Sequence, residues 1–250
     1  MDEEKDLLIF PIDAYTRSEG EFLTMHFYKQ IRRMECMREL GEEYTPKQLL
    51  RSRKHHKRPY GIWNTHFAAL HGYFLRDFQI YKGGLVETEP TEREQGCIQQ
   101  IDAEVHKLDI EYGLENLDKI IQDFENQAYQ VARQHPDWGK TREQWKKCMS
   151  SKYREYTPPN DDESWVIAER IEFLKDHHYN EEQRAGEEEI NLASNENSCD
   201  WGPRVTLTLG SLEATEQQKI IEQNQKQLED LKEGIRKETE YFKQYIAEHQ

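Results

Sequence analysis

Apolar positions along the chain recur mostly at steps of three and four, which predicts helices. Ser18 followed three residues later by Glu21 predicts a capping box opening a helix, with Phe27, Ile31, Met34 and Leu40 as apolar positions and Gly41 as its end. Thr45-Pro46 predicts a second start, for the segment KQLLRSRKHHK, which Pro59-Tyr60-Gly61 breaks. Trp63, Phe67, Leu70, Phe74 and Phe78 step by four, three, four and four, an aromatic stripe read chiefly as core. Thr91 predicts the next helix, with Cys97, Ile98, Ile101, Val105 and Leu108 inward. From Ile110 through Leu114, Leu117, Ile121, Phe124 and Ala128 to Val131 the spacing is that of a heptad seam, interrupted by Gly113. Pro136 and Gly139 are expected to end it, and Thr141 with Gln144 to cap a helix near 142–156. Trp165, Ala168, Ile171 and Leu174 predict another.

Two stretches break the helical period. LLIFPI at 7–12 reads as a short extended piece limited by Pro11, and the strict alternation of Arg204 to Leu209 reads as a strand. The last segment restores the period through Ile221, Asn224, Leu228, Leu231, Ile235, Glu238, Phe242 and Tyr245, a weak coiled-coil seam launched by Thr215 and Gln218. The expectation is a mainly α protein: a multi-helix, bundle-like body with a few short strands and a long C-terminal amphipathic helix. Residues 1–183 form the body, 184–202 an acidic, Asn- and Ser-rich linker or long loop, and 203–250 a strand plus the long helix.

Charge changes the picture. The chain of 250 residues carries a net −15 and is 33% charged and 35% hydrophobic, yet 11% aromatic, which argues against disorder throughout. The charge is uneven: residues 29–60 hold ten Lys and Arg against four acids, a basic island of +6. In the basic run that begins at Lys47, Arg51, Lys54 and Arg58 share a helical face, Arg53 and Lys57 flank it, and Tyr60 follows. Such cations beside an aromatic ring suit a phosphate backbone with a stacked base, hence RNA or single-stranded DNA. The same cations suit the protein's own forty-nine carboxylates or an acidic partner.

Other chemistry is faint. Asp176, His177 and His178 with Glu181 and Glu182 offer metal ligands, whereas His66 and His71 lie five apart, off the spacing of a helical ligand pair. No nucleophile elbow, phosphate-binding loop or dinucleotide fingerprint occurs. The expectation is a non-catalytic helical interaction protein, a subunit of a larger assembly, without cofactor or metal. It contacts nucleic acid through Lys47, Arg51, Arg53, Lys54, Lys57, Arg58 and Tyr60, and a protein partner through the C-terminal helix 212–249. The alternatives are an adaptor docking on an acidic protein and a metal-dependent enzyme. No apolar run reaches the roughly 20 residues of a membrane span. Residues 2–6 are mainly acidic, and the cysteines at 36, 97, 148 and 199 form no CxxC. These features give the expectation of an intracellular protein, cytoplasmic or nuclear, with free thiols.

Overall fold

The computed structural model describes residues 8–44, 60–72, 90–152, 187–201 and 204–249. Of these, 82% are helical. After a 3₁₀ turn at Pro11–Tyr15 come α1 (Glu19–Glu39), α2 (Thr65–His71), α3 (Glu92–Glu111) and α4 (Leu117–Ala132). Then follow α5 (Pro136–Lys152), α6 (Glu187–Trp201), α7 (Val205–Gln223) and α8 (Gln225–Glu248). The mainly α expectation holds, and no helix among the described residues is long and apolar enough to cross a membrane. No strand occurs among the described residues.

The two strand-like stretches are corrected for different reasons. At 8–12 the alternation is real, since Leu8, Phe10 and Ile12 are buried and Ile9 is exposed. It is burial without a pairing strand, and Pro11 starts the 3₁₀ turn. At 204–209 the alternation is a coincidence of a helical stripe. Val205, Thr206, Leu209, Glu213, Gln217, Ile220 and Ile221 are buried, which is the three-and-four spacing with polar residues filling several of its places. The Asp200 carboxylate accepts from Thr206 N at 2.7 Å, placing an anion at the start of α7.

The acidic stretch expected to be a linker is α6. Its inner stripe is Glu189, Leu192, Ala193, Glu196, Asn197 and Asp200, all buried. Acids and amides occupy positions where apolar residues would have disclosed a helix. Thr65 Oγ1 donates to Asn197 Oδ1 at 2.9 Å. Glu189 fills the space over Gly72, where a Cβ would stand 2.7 Å from Glu189 Oε1, and Gly72 also has a positive φ of 58°.

Caps explain where several helices begin and end. Ser18 Oγ accepts from Glu21 N at 3.3 Å and the Glu21 carboxylate from Ser18 N at 2.6 Å, the capping box expected from sequence. Thr91 Oγ1 accepts from Glu94 N at 3.1 Å. Pro136 does not end a helix; it opens α5, because a first-turn proline lacks only an N–H that would be unbonded. Thr141 is then interior and buried, part of the stripe Trp138, Thr141, Arg142, Trp145 and Met149, so no helix begins near 142.

Two long periodic segments are divided. The seam from Ile110 to Val131 is cut at Gly113, whose φ of 74° suits a residue without Cβ, and its ends Ile110 and Val131 are exposed. The long C-terminal helix is cut at Asn224 (φ −119°, ψ 22°), whose Nδ2 donates to the Ile220 carbonyl at 2.8 Å, a side chain competing with the helical ladder. The helices near 45–58 and 165–174, and Phe74 and Phe78 of the aromatic stripe, lie outside the described residues.

The chain forms two compact units. One comprises Met1–Pro11, Lys54–Ile80 and Asn126–Lys219; the other comprises Ile12–Arg53, Tyr81–Glu125 and Ile220–Gln250. These boundaries differ from the divisions at 183 and 202 expected from composition. In the first unit, Trp138 meets the rings of Tyr60 and Tyr129 edge-on. In the second, α1 packs against α3 and α8, with Tyr28, Val105 and Phe242 at one centre and Met37, Cys97 and Ile101 at another.

The cysteines are corrected as well. They are not free thiols: Cys36 bonds Cys97, joining α1 to α3, and Cys148 bonds Cys199, joining α5 to α6. Each bond lies within one unit.

Gly234 marks a close approach of backbone to helix in the second unit. A Cβ there would collide with the Tyr112 backbone oxygen and stand 2.9 Å from Leu114 Cδ2. Gly234→Ala is expected to destabilise the protein by about 1–3 kcal/mol, as overpacking does. A denaturant midpoint unchanged from that of the parent would show that this loop yields freely.

Candidate functional site

The residues expected to bind nucleic acid divide sharply. Lys47, Arg51, Arg53, Lys54, Lys57 and Arg58 lie outside the described residues. Tyr60 is described and is only 1% exposed. Its hydroxyl donates to the Glu213 carboxylate, which also accepts from Gln217 Nε2 at 3.0 Å. Burial, with the Glu213 charge beside it, pushes the Tyr60 phenol above its ordinary pKa. Its ring is part of the core.

The N-terminal cations of the basic island face the protein's own acids. Lys29 Nζ lies 2.8 Å from Asp102. Arg33 lies 3.6 Å from Glu94 and donates to Tyr44 Oη at 3.1 Å. Arg32 binds the Glu104 carboxylate through Nε and Nη2 at 3.0 and 2.9 Å, and its Nη1 donates to Glu35 at 2.6 Å and to Tyr245 Oη at 3.0 Å. The Glu104 hydrogen bond leads the effects that raise the Arg32 pKa.

Arg32 therefore sits in a dense polar constellation of the second unit. Tyr245 Oη donates to Glu35 at 2.5 Å, and the His249 ring stacks on Tyr245 with centroids 4.0 Å apart. Burial would raise Glu35, yet hydrogen bonds from Tyr245 and Arg32 outweigh it and hold its carboxyl below the usual range. Burial and the bond to Glu35 push Tyr245 up to about 12. A carboxylate, a guanidinium, a phenol and an imidazole together have the ingredients of acid–base chemistry. Their geometry points elsewhere: these bonds use four of the five guanidinium N–H groups, and the phenol proton is committed to Glu35. The cluster ties α1, α3 and α8 together.

A second clamp lies at the other end of α1. Arg17 donates to Glu238 through Nε at 2.9 Å and to Asp109 through Nη2 at 2.6 Å. The Glu238 side chain is 1% exposed, and burial raises its pKa to about 7 against the opposing pull of Arg17. In sequence Glu238 is one position of the C-terminal seam; the residue that makes its burial tolerable, Arg17, is 221 positions away and carries no local signal.

The helix breaks at Gly113 and Asn224 line a cleft of about 500 Å³ together with Tyr112, Ile120, Lys226, Gln227 and Leu231. Lys226 is bound to Asp230 at 2.6 Å. Groups of three or more His, Cys, Asp or Glu able to hold a metal are absent among the described residues, and His177 and His178 lie outside them.

The C-terminal helix uses its apolar face internally: Leu228, Leu231, Ile235 and Phe242 are at most 4% exposed, with Phe242 packed on Tyr28. Large apolar side chains stand exposed instead on α1, Phe27 at 55% and Phe22 at 37%. Fold and sites together describe a helical, disulfide-bonded protein whose polar clusters serve helix packing. No family model, curated protein or solved structure matches the chain.

Proposed function

We propose that the chain is a non-catalytic helical interaction protein, a subunit of a larger assembly, and that its partner is a protein. The observation that carries this reading is the engagement of Lys29, Arg32 and Arg33 by Asp102, Glu104, Glu35 and Glu94. Cations already neutralised release no counterions to a phosphate backbone, so this half of the basic island offers nucleic acid little. Exposed Phe27 and Phe22 on α1 supply the kind of aromatic anchor on which protein contacts depend. The C-terminal helix would contribute its outer, charged face, where Arg236 already pairs with Glu233 and Glu240.

Nucleic-acid contact through 47–58 is the second reading, favoured by six cations within twelve residues. Filter binding to single-stranded RNA across a salt series separates the two. The protein reading expects no retention at low salt, and Phe27→Asp is expected to release the partner that co-purifies with the native chain while leaving the melting temperature within about 2 °C, the scale of a surface change. Retention falling with a slope of about −2 to −3.5 in log affinity against log salt, the value for three to five phosphate contacts, would overturn it.

A further inference from the structure

We infer that this chain matures and works in an oxidising compartment, where its two cysteine pairs are permanent structural cross-links. Four cysteines allow three pairings. The structure realises one of them completely, leaving no free thiol. The bonded residues lie far apart in sequence, 61 positions in one case and 51 in the other, yet their Cα atoms are 5.9 and 5.6 Å apart, inside the range a disulfide requires.

Three observations make these cross-links structural. Each joins two helices of one compact unit, and each unit has one. In each pair one partner is sealed, Cys97 at 1% exposure and Cys199 at 0%, so a reductant reaches only Cys36 or Cys148, each of which is itself half-buried. The Cys36–Cys97 bond also belongs to the apolar cluster of Met37 and Ile101, so it replaces core that a chain only 35% hydrophobic does not supply. Reducing compartments keep such thiols unpaired, and secreted, luminal and periplasmic spaces keep them bonded.

The chemistry balances by exchange with an oxidised dithiol protein, the disulfide donor of such compartments. Two S–H bonds of this chain and one S–S bond of the donor break. One S–S bond forms here and two S–H bonds form on the donor, which accepts the two electrons and two protons. This happens twice per chain. An oxidising location replaces the intracellular one expected from the acidic N-terminal residues, and it adds weight to a protein partner over nucleic acid.

The test is thiol trapping of the native full-length protein with N-ethylmaleimide at the moment of lysis, followed by non-reducing peptide mapping. The expected result is no labelled cysteine before reduction, four after it, and cross-linked peptides joining Cys36 to Cys97 and Cys148 to Cys199. Labelling of all four before reduction would overturn the inference, even if the purified protein later oxidised in air. Any other pairing would overturn it too. A second measurement is independent of cell source: reduced, unfolded chain refolded with a glutathione redox buffer is expected to recover the same two pairs as its dominant product. A scrambled mixture would show that the fold does not select them.

Discussion

The protein with Cys36 and Cys97 both changed to Ala is expected to melt roughly 8–16 °C below the parent. The bonded residues are 61 apart in sequence. Cross-linking a loop of that length removes denatured-state entropy worth about 4 kcal/mol, and for a chain of this size each kcal/mol is worth about 2–4 °C. Alanine is the right replacement because Cys97 sits among Met37 and Ile101, where serine would add an unbonded hydroxyl to the loss. The Cys148→Ala, Cys199→Ala protein is expected to behave alike, its separation being 51. Thermal melts followed by circular dichroism, with and without a phosphine reductant, check both. An unreduced parent that melts where the reduced parent does would mean that neither bond constrains the unfolded chain.

Removing Arg17 is the second large effect, and its size depends on pH. In the folded protein Glu238 is raised to about 7, chiefly by burial, whereas in the unfolded chain it is an ordinary carboxyl near 4.5. The folded state therefore binds the proton more tightly. This group's contribution is fully present below about pH 4.5 and is lost as pH rises through about 7. Arg17 limits that loss by pairing with the ionised form. Arg17→Met leaves the buried carboxylate with Asp109 near it and no cation between them. The expected cost is about 3 kcal/mol or more at pH 8, where Glu238 must ionise or take up a proton against the solvent. At pH 5, where Glu238 is already protonated, about 1 kcal/mol is expected, the loss of ordinary hydrogen bonds. Denaturant unfolding at the two pH values measures the difference. A cost equal at both would mean that Arg17 acts through packing alone. Glu238→Gln should remove the pH dependence in either background.

What the sequence disclosed follows from where its signals are local. The Ser18 and Thr91 caps lie within three residues of the groups they bind, and both are seen in the structure. The inward residues of α3 and of the C-terminal segment were legible because Ile101, Val105, Leu228, Leu231 and Ile235 are apolar and buried. Helix α6 was hidden because Glu189, Glu196, Asn197 and Asp200 hold its inner positions, and a reading by hydrophobicity assigns such residues to solvent. The break at Asn224 was invisible for the opposite reason: an apolar period continues through it from Ile221 to Leu228, while the cause is one amide turned onto a carbonyl. The clamps of Arg17 and Arg32 and the cysteine pairing connect positions tens to hundreds of residues apart, and spacing in one sequence says nothing about which distant residues meet.

The division of the chain into two units has a consequence for its synthesis. Each unit takes three separate stretches of sequence, and the chain passes from one unit to the other at 11/12, 53/54, 80/81, 125/126 and 219/220. The segments of the two units are interleaved along the chain, so neither unit is complete until its third stretch has been made. The first unit is complete only when residue 219 has emerged, and the second waits for α8. Each unit therefore keeps unfinished apolar faces exposed until its last segment has been made, the condition under which chains depend on chaperones. Cys36 and Cys97, by contrast, are both made before α4 begins.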